Sequence, residues 1–570
     1  MLKKGEICLG YVERVDFPGK GIITVSGEEE TVTVKRVVPE QTVFFRVNKK
    51  RKGRAEGELL SVRDKSPDEV TPDCPHFGAC GSCIYRQLNY GAQLKLKEEQ
   101  VKRILDKVYI NRGEEPDYNF EGIYKPPEVL EYRNKMEYSF GDEVKDGPLT
   151  CGLHKYGSHY DIVTATDCKI VDRDFRFLLE ESIRFFKDRG VTYFHKNTGE
   201  GYLRHLLVRK SKETGDILIA LVTTGNYLTQ SGDTDKKNEE KLLKEYTERI
   251  LHFNEINSLN GHIAGVIHVI NDGVADVIKA DSMDILYGKD HFFDRVLGLW
   301  FRITLFSFFQ TNTLGAEVLY DRVRRYAESA DSKFNTVYDL YCGTGTISQI
   351  LASVSKKVIG VEIVEEAVEA AKLNAIHNKL ENCEFIAGDV LKVLDDLTEK
   401  PDLIVLDPPR DGVNPKALKK ILDLDVNNII YVSCKPTSLA RDLDIMLDSG
   451  YKVMRTCTID LFPCTAHFET VCLLSKGDVK SQKLRVEFSL EDMDTDGFKQ
   501  GATYNAIRDW IKEKYGYRVT NLNIAQVKQK HGIIERENYN KPKSPDSKQP
   551  GCSEEKVKAI EDAMRHFQMI

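Results

Sequence analysis

The sequence predicts an α/β protein with a doubly wound parallel sheet, preceded by a small β-barrel and a mixed α+β region and followed by helices. Three observations predict this. From about residue 300, short β-branched strands alternate with helical segments, as in parallel α/β sheets. Residues 1–64 alternate apolar and polar side chains between turn residues, as in small barrels. The chain has 570 residues, which is too long for one hydrophobic core.

Composition and charge limit the classes of protein to consider. The chain is 41% hydrophobic and 30% charged, with no apolar run near the roughly 20 residues that span a bilayer. No apolar signal core follows residues 1–6, so we expect a cytoplasmic protein without membrane contact. The net charge of −7 excludes a uniformly basic nucleic-acid coat but not local basic patches. In the cytosol, thirteen cysteines favour cofactor or catalytic roles over disulfides.

Residues 1–64 are predicted to form the barrel from five or so short strands. The clearest segments are 7–15, 21–25, 31–37 and 42–47. The stretch Lys49–Arg54 carries five cations in six residues. It is either an RNA-contacting tip or a solvated hairpin end, and barrel shape alone does not name a ligand.

Three cysteines lie close together in the next region, as Cys74-x5-Cys80-x2-Cys83, and Cys168 is a good candidate for a fourth ligand. The asymmetric spacing favours a cubane iron–sulfur cluster over paired zinc knuckles. Structural zinc and unligated thiols are the alternatives. Residues 65–288 are predicted to form a mixed α+β domain around this site.

Basic residues on the predicted strands of this domain are candidates for phosphate contacts. Solvated strand faces explain them about as well. They are Arg133, Lys135, Arg204, His205 and Arg209.

Residues 289–478 carry the doubly wound sheet and its ligand motif. A strand over 335–340 leads into Gly343-x-Gly345, and Glu362 follows about 20 residues later, where a ribose-binding acid belongs. A lone glycine pair does not separate NAD from S-adenosylmethionine. Here Asp389 ends the third strand and Asp407-Pro408-Pro409 ends the fourth. This succession is typical of a class I methyltransferase rather than a dehydrogenase.

A strand over 429–433 ends in Cys434, and Pro436 stops it. A base carbon must be activated before it attacks a sulfonium methyl group, and thiolate addition to carbon 6 of a pyrimidine makes carbon 5 nucleophilic. Glu469 is a candidate base for removing the carbon-5 proton, with His467 as the alternative. Each residue also has an alternative interpretation without a catalytic role. Cys434 would then be a small buried hydrophobe, and Glu469 would be a solvent-facing strand end.

Together these residues resemble the RNA uracil-5-methyltransferase family, in its ribosomal RNA branch with a TRAM barrel and a [4Fe–4S] cluster. The resemblance covers residues 1–478. It rests on the four cysteines, the Phe308–Asn312 segment, the glycine loop, Asp407–Arg410, Ser433–Pro436 and Phe462–Glu469.

The resemblance implies a role for each matching residue. The residues that bind S-adenosylmethionine would be Gln310, Tyr341, Glu362 and Asp407. Cys434 would be the nucleophile and Glu469 the proton-abstracting base. A structural [4Fe–4S] cluster, which would also help to hold RNA, would be ligated by Cys74, Cys80, Cys83 and Cys168. The partner would be RNA, with 23S ribosomal RNA favoured over transfer RNA, its target uridine swung out of the stack. We expect a monomer without an obligate protein partner.

The family pattern lacks residues 479–570. Helices are predicted over 502–515, 524–531 and 554–567, with a loop over 538–552. Cations outnumber acids about two to one between Lys499 and Lys548. The extension is either an RNA-binding appendage or a packing extension. A non-catalytic RNA-binding assembly factor and a redox sensor are the rival functions for the whole chain, and the intact Cys434 and Glu469 speak against the first.

Overall fold

The structure is a computed structural model of the chain. It describes residues 2–51, 54–145, 147–158, 160–196, 198–227, 236–256, 258–273, 280–330, 333–476, 504–516, 519–531 and 553–566. The chain divides into two compact units, Met1–Val479 and Lys480–Ile570.

The first unit begins with a closed five-stranded barrel of order β1-β2-β3-β5-β4. Its strands are β1 (Ile7–Asp16), β2 (Lys20–Thr24), β3 (Val32–Lys35), β4 (Thr42–Arg51) and β5 (Arg54–Asp64). Alternating residues such as Val12, Val43 and Phe45 fill its interior. The predicted barrel is therefore confirmed. Of the basic tip, residues 52–53 lie outside the described chain, and Lys50 is paired with Glu30 at 2.6 Å.

The middle of the first unit contains a seven-stranded sheet of order β13-β12-β11-β10-β7-β8-β9. In chain order the elements are α1 (Tyr90–Asn111), β6 (Asn119–Tyr124), β7 (Lys135–Gly141), β8 (Thr150–His154), β9 (Ile162–Thr164), α2 (Arg173–Asp188), β10 (Leu203–Lys210), β11 (Asp216–Thr223), α3 (Lys236–Glu255), β12 (His262–Ile270) and β13 (Ser282–Gly288). Helices α2 and α3 supply Phe175, Phe186 and Tyr246 to a core on one face of this sheet. This agrees with the mixed α+β region that the sequence predicts.

The third part of the unit is the doubly wound sheet. Its elements are β14 (His291–Val296), β15 (Leu299–Thr304), α4 (Thr313–Ala330), β16 (Phe334–Leu340), α5 (Thr346–Leu351), β17 (Ser355–Glu362), α6 (Glu365–His377), β18 (Cys383–Ala387), α7 (Val390–Asp396), β19 (Leu403–Leu406), α8 (Pro415–Asp423), β20 (Asn428–Ser433), α9 (Pro436–Asp448), β21 (Tyr451–Ile459) and β22 (Glu469–Lys476). Strands β14 and β15 form a separate hairpin. Strands β16 to β22, together with β6 from the earlier part of the chain, form an eight-stranded sheet of order β18-β17-β16-β19-β20-β22-β21-β6.

Strands β16 to β20 of this sheet are mutually parallel, and β22 runs antiparallel to both β20 and β21. The edge strand β6 comes from the first quarter of the chain and pairs in parallel with β21. Helix α1 packs Val101, Leu105 and Tyr109 into the same core. From the sequence alone this segment is predicted to belong to the middle region, because local periodicity does not say which sheet a strand joins.

The second unit contains three described helices, α10 (Tyr504–Tyr515), α11 (Asn521–Lys530) and α12 (Glu554–His566). They share a small apolar core that includes Ile511, Ile524 and Ile560. The predicted helices are present, whereas the predicted loop over 538–552 lies outside the described residues. Across the part of the chain that the structure describes, no helix combines the length and apolarity needed to cross a bilayer.

Candidate functional site

The candidate site lies at the carboxyl edge of the parallel strands, where open α/β sheets bind ligands. Tyr341 follows β16, Glu362 ends β17, Asp389 follows β18, Asp407 follows β19 and Cys434 follows β20. Because these five strands are adjacent and parallel, their ends form one row. The structure thus brings together residues that are spread over almost 100 positions of sequence.

The glycine loop after β16 has a left-handed backbone conformation at three residues. Tyr341, Gly343 and Gly345 have φ of 71°, 55° and 74°. A β-carbon on Gly345 would lie 2.6 Å from the Phe385 ring, so only glycine fits there. Gly345 then begins helix α5. The loop therefore leaves its backbone open at the edge of the sheet, which allows close approach of a ligand.

Two carboxylates beside this loop have acceptor capacity for a ligand. Glu362 accepts the backbone N–H of Gly343 at 3.1 Å, and its other oxygen accepts the N–H groups of Ile363 and Val364. The deeper Asp339 accepts the Ser348 hydroxyl at 2.5 Å through one oxygen. Its second oxygen is buried without a hydrogen-bond partner, and burial raises the pKa of Asp339 to about 6. This acidic edge fits a ligand with hydroxyl and cationic groups, as S-adenosylmethionine has.

Gln310 reaches the same edge on the segment that connects β15 to α4. The Asn134 side-chain amide donates to its carbonyl at 2.9 Å. Its side chain lies beside Tyr320 of α4. Burial, with the nearby Asp407 and Glu469 carboxylates, raises the pKa of Tyr320 well above its usual value. Tyr320 thus lies among the site acids, and the sequence analysis missed it because it looks like an ordinary apolar position of α4.

Arg209 of β10 binds the backbone of the segment that leads to Gln310. It is only 1% exposed, and one guanidinium nitrogen donates to the carbonyls of Thr304, Leu305 and Ser307. The hypothesis that Arg209 contacts a phosphate is therefore wrong, since the side chain is buried. Its guanidinium instead satisfies three backbone carbonyls at the end of β15 and in the turn that follows it.

Cys434 and Glu469 come together through the pairing of two strands. Ser433 of β20 lies opposite Thr470 of β22 in an antiparallel ladder. Extending this register by one residue sets Cys434 opposite Glu469. The Ser438 hydroxyl on α9 donates to the Arg410 carbonyl at 2.6 Å, which ties the turn after Cys434 to the Asp407–Arg410 segment. The structure thus places the two predicted catalytic residues side by side.

The charges of this cluster are mutually dependent. Burial and the Glu469 carboxylate raise the pKa of Cys434 to about 11. Burial raises the pKa of Glu469 well above its usual range, and burial with Asp339 raises the pKa of Asp407 to about 7. The Arg410 cation acts against burial and lowers the pKa of both Cys434 and Glu469. A thiol beside a proton-accepting carboxylate suits nucleophilic addition followed by proton removal.

The segment that leads into Glu469 is held by α1. The Lys97 ammonium lies 2.5 Å from an Asp460 carboxylate oxygen and also donates to the carbonyls of Phe462 and His467. The carbonyl of Cys464 accepts the backbone N–H groups of the two residues that follow Cys83, at 3.1 and 3.0 Å. The cysteine-rich segment is thus bonded directly to the segment before Glu469.

The four predicted cluster ligands gather around one small apolar cavity. Cys74, Cys80, Cys83 and Cys168 line it together with Phe77. Burial, and then the neighbouring sulfur atoms, raise the pKa of the Cys83 thiol far above its usual value. All cysteines that the structure describes are free thiols. As these side chains stand, no three described His, Cys, Asp or Glu residues have the arrangement that holds a metal ion. The donor set fits a thiolate-bound group, while a coordination geometry is not present.

Known proteins resemble this chain over the same regions. Residues 292–477 match the family model of the tRNA (uracil-5-)-methyltransferases. An uncharacterized RNA methyltransferase of Caldanaerobacter subterraneus subsp. tengcongensis is 44% identical over 475 residues, covering 83% of this chain and 100% of the relative. Another from Clostridium tetani is 41% identical over 477 residues, covering 84% and 99%.

A solved structure shares the fold. It is that of the Pyrococcus abyssi tRNA (uracil-54, C5)-methyltransferase in complex with S-adenosyl-L-homocysteine, with a TM-score of 0.61 and 24% identity, covering 82% of this chain and 99% of that one. At this identity the likeness concerns the fold. From the relatives and the family model together, the chain belongs to the RNA uracil-5-methyltransferase family, as the sequence analysis expected.

Proposed function

We propose that this enzyme transfers a methyl group from S-adenosylmethionine to carbon 5 of a uridine in RNA, through a covalent bond between Cys434 and carbon 6. The observation that carries the proposal is the pairing of Cys434 with Glu469 at the sheet edge where Asp407 also ends its strand. A methyltransferase acting on nitrogen or oxygen has no need of a thiol at this point.

The methyl donor would lie along the row of strand ends. Glu362 would take the ribose hydroxyls, since its carboxylate is already fixed by backbone N–H groups next to the glycine loop. Gln310, Tyr341 and Asp407 complete the set of residues that would hold the donor. When bound, S-adenosylmethionine supplies an electrophilic methyl group and a positive charge.

The chain's own residues carry the chemistry in three steps. The Cys434 thiolate adds to carbon 6, and the electrons of the carbon 5–carbon 6 double bond move to carbon 5. Carbon 5 then forms a bond to the methyl carbon, and the sulfur–methyl bond of the donor breaks. Finally Glu469 takes the proton from carbon 5, the double bond reforms, and the bond between carbon 6 and Cys434 breaks to restore the thiolate.

Glu469 is a better candidate for the base than His467. Burial, with Arg410 and Lys97 nearby, lowers the pKa of His467 to about 4, which makes it a weak base. Burial raises the pKa of Glu469 well above its usual value instead, which makes its carboxylate a stronger base. Its position beside Cys434 on the neighbouring strand supports this choice.

We further propose that Cys74, Cys80, Cys83 and Cys168 hold a [4Fe–4S] cluster with a structural role. The supporting observation is that four buried or half-buried thiols line one apolar cavity, although Cys168 lies 85 residues after Cys83. No step of the methyl transfer needs electrons. The cluster would instead fix the segment after Cys83, which hydrogen-bonds the approach to Glu469.

For the RNA we propose 23S ribosomal RNA, on the resemblance of the barrel and cysteine set to that branch of the family. Transfer RNA is the second candidate, because the matching family model and the Pyrococcus abyssi neighbour both carry that description. The test is to map 5-methyluridine in both RNA classes from cells with and without the gene. Loss of one ribosomal 5-methyluridine is expected; loss in transfer RNA alone would select the second candidate, and no loss would refute the activity.

A further inference from the structure

A cavity of about 620 Å³ opens on the seven-stranded sheet, apart from the residues used above. It lies where β7 ends at Gly141, beside β8 and the first residues of β10. Its volume is within the usual range for small-ligand sites. Ser139 of β7 and His205 of β10, which pair across the sheet, form part of its floor.

The walls of the cavity offer flat rings. The Tyr193 and His195 rings lie 4.3 Å apart between centroids, and the Tyr193 hydroxyl is fixed by the Asp142 carboxylate at 2.7 Å. The Arg204 guanidinium lies 4.3 Å from the centroid of the Phe194 ring, but it is buried and donates to the carbonyls of Asn271 and Gly273, so it supports the wall. Aromatic rings such as that of Tyr193 are surfaces on which unpaired RNA bases stack.

The polar groups of the cavity fit a nucleotide better than a free anion. Lys145 and Lys196 bring positive charge that suits a phosphate. The carboxylates of Asp142 and Glu200 line the same space and would repel a bare anion, but they can accept N–H groups from the edge of a base. The combination of stacking rings, cations and acceptors is what a single unstacked nucleotide requires.

Strand β7 extends from the segment that carries Gln310 to the cavity. Ser139 and Lys135 lie on the same side of β7, because they are separated by an even number of residues. Opposite Lys135 lies Arg209, which holds the segment leading to Gln310. From Asn134, which donates to Gln310, to Gly141 at the cavity is about 23 Å along the strand. The distance corresponds to several nucleotides of an extended strand.

We propose that this cavity binds a second, unmethylated nucleotide of the RNA substrate, several positions from the uridine that is methylated. The inference rests on the proposed function for the identity of the substrate. In this arrangement the base stacks on Tyr193 and the cations face its phosphate. RNA specificity is then set at two separate points, since the enzyme binds one nucleotide in the cavity while the target uridine reacts at Cys434.

The test uses the full-length protein and 23S ribosomal RNA transcribed in vitro with 4-thiouridine. Tyr160 also lines the cavity and is exposed. Photocross-linking and peptide mapping should yield adducts on the segments that contain Tyr160 or Tyr193. The Tyr160→Ala/Tyr193→Ala variant should raise the KM for RNA about tenfold with kcat nearly unchanged, since stacking of one base is lost. Tyr193→Phe keeps the ring and should retain a KM close to wild type. Tyr287→Ala is the matched control, because Tyr287 is an exposed tyrosine of the same sheet outside the cavity.

The outcomes separate this inference from the proposed function. If the wild-type enzyme forms no 5-methyluridine, the proposed function is contradicted. Cross-links at the cavity would still measure RNA binding there, independently of methylation. Intact methylation with an unchanged KM in the double variant would overturn the inference. So would saturation of the cavity by free uridine monophosphate without any effect on RNA binding, which would indicate a small-molecule site.

Discussion

The Lys97 ammonium lies 2.5 Å from an Asp460 carboxylate oxygen, and both side chains are fully buried. Helix α1 begins shortly after Cys83, and β22 begins with Glu469, so this pair joins the cysteine-rich region to the predicted base. Lys97→Met should cost about 3–5 kcal/mol of unfolding free energy, because Asp460 keeps a buried charge without its partner. Urea unfolding measures the loss.

The control for this pair lies on the same helix. Lys102 and Asp106 form an ion pair at 2.6 Å, but the Lys102 side chain is half exposed. Lys102→Met should cost no more than about 1 kcal/mol. Equal costs for the two variants would contradict the anchoring role of Lys97.

Cys434→Ala should abolish methyl transfer while S-adenosylmethionine still binds, because in the proposed mechanism the thiol adds to the base and does not hold the donor. Calorimetric titration with S-adenosylmethionine and a radiolabelled methylation assay measure the two properties. Cys383→Ala is the control, since Cys383 is a half-buried free thiol at the opposite, amino end of β18. Residual turnover in Cys434→Ala above one thousandth of wild type would argue against covalent catalysis.

Glu469→Gln should trap the covalent RNA adduct. The amide cannot take the carbon-5 proton, so the bond between Cys434 and carbon 6 is not released after methyl transfer. A denaturing gel should show a shifted protein–RNA band. In the Cys434→Ala/Glu469→Gln double variant the band should be missing, and a wild-type turnover rate in Glu469→Gln would refute the role of this residue.

The rate of a single turnover should rise with pH between about pH 6 and pH 9. The pKa of Cys434 is raised to about 11 and that of Glu469 is raised as well, so the reactive ionised forms of both become more abundant as protons are removed. Arg410→Gln removes the cation that lowers both pKa values and should shift the profile to higher pH. Lys419→Gln, at an exposed position of α8, should leave the profile unchanged.

Glu362→Gln should weaken S-adenosylmethionine binding about 10- to 100-fold, the usual value of a charged hydrogen bond. The amide keeps the shape of the side chain but replaces one acceptor oxygen by a donor, which faces the N–H of Gly343 or the ribose. Calorimetric titration gives the affinity. Glu366→Gln, on the exposed first turn of α6, is the matched control, and equal affinities in both variants would contradict ribose binding by Glu362.

Much of the fold followed from local sequence patterns. Three short-range signals predicted elements that the structure contains. They are the alternation of strands and helices after residue 300, the glycine loop, and the alternation of apolar and polar residues over 1–64. The row of Tyr341, Glu362, Asp407 and Cys434 could also be predicted, because parallel strands end at one edge. These residues follow strands, and their order in space is set by the sheet.

Other features could not be predicted because they depend on contacts between distant segments. Tyr320 looks like a core residue of α4 until the Gln310 side chain is seen beside it. Lys97 looks like one of several lysines on a charged helix, yet it is fully buried. Arg209 was predicted to be a possible phosphate contact and instead binds backbone carbonyls. The partners of Lys97 and Arg209 lie at least 90 positions away, and periodicity does not identify them. The carboxylates near Tyr320, on Asp407 and Glu469, also belong to distant segments.

Strand β6 completes one edge of the eight-stranded sheet, although it lies far earlier in the sequence than the other strands of that sheet. It pairs with β21, and Val101 and Leu105 of α1 share a core with Leu443 and Leu474. A fragment that starts at residue 289 would leave the outer edge of β21 unpaired and a strip of apolar surface uncovered. Unpaired edges promote association with other chains. Expression of the catalytic region alone should therefore give aggregated protein, whereas co-expression with residues 84–128 as a separate peptide should restore solubility.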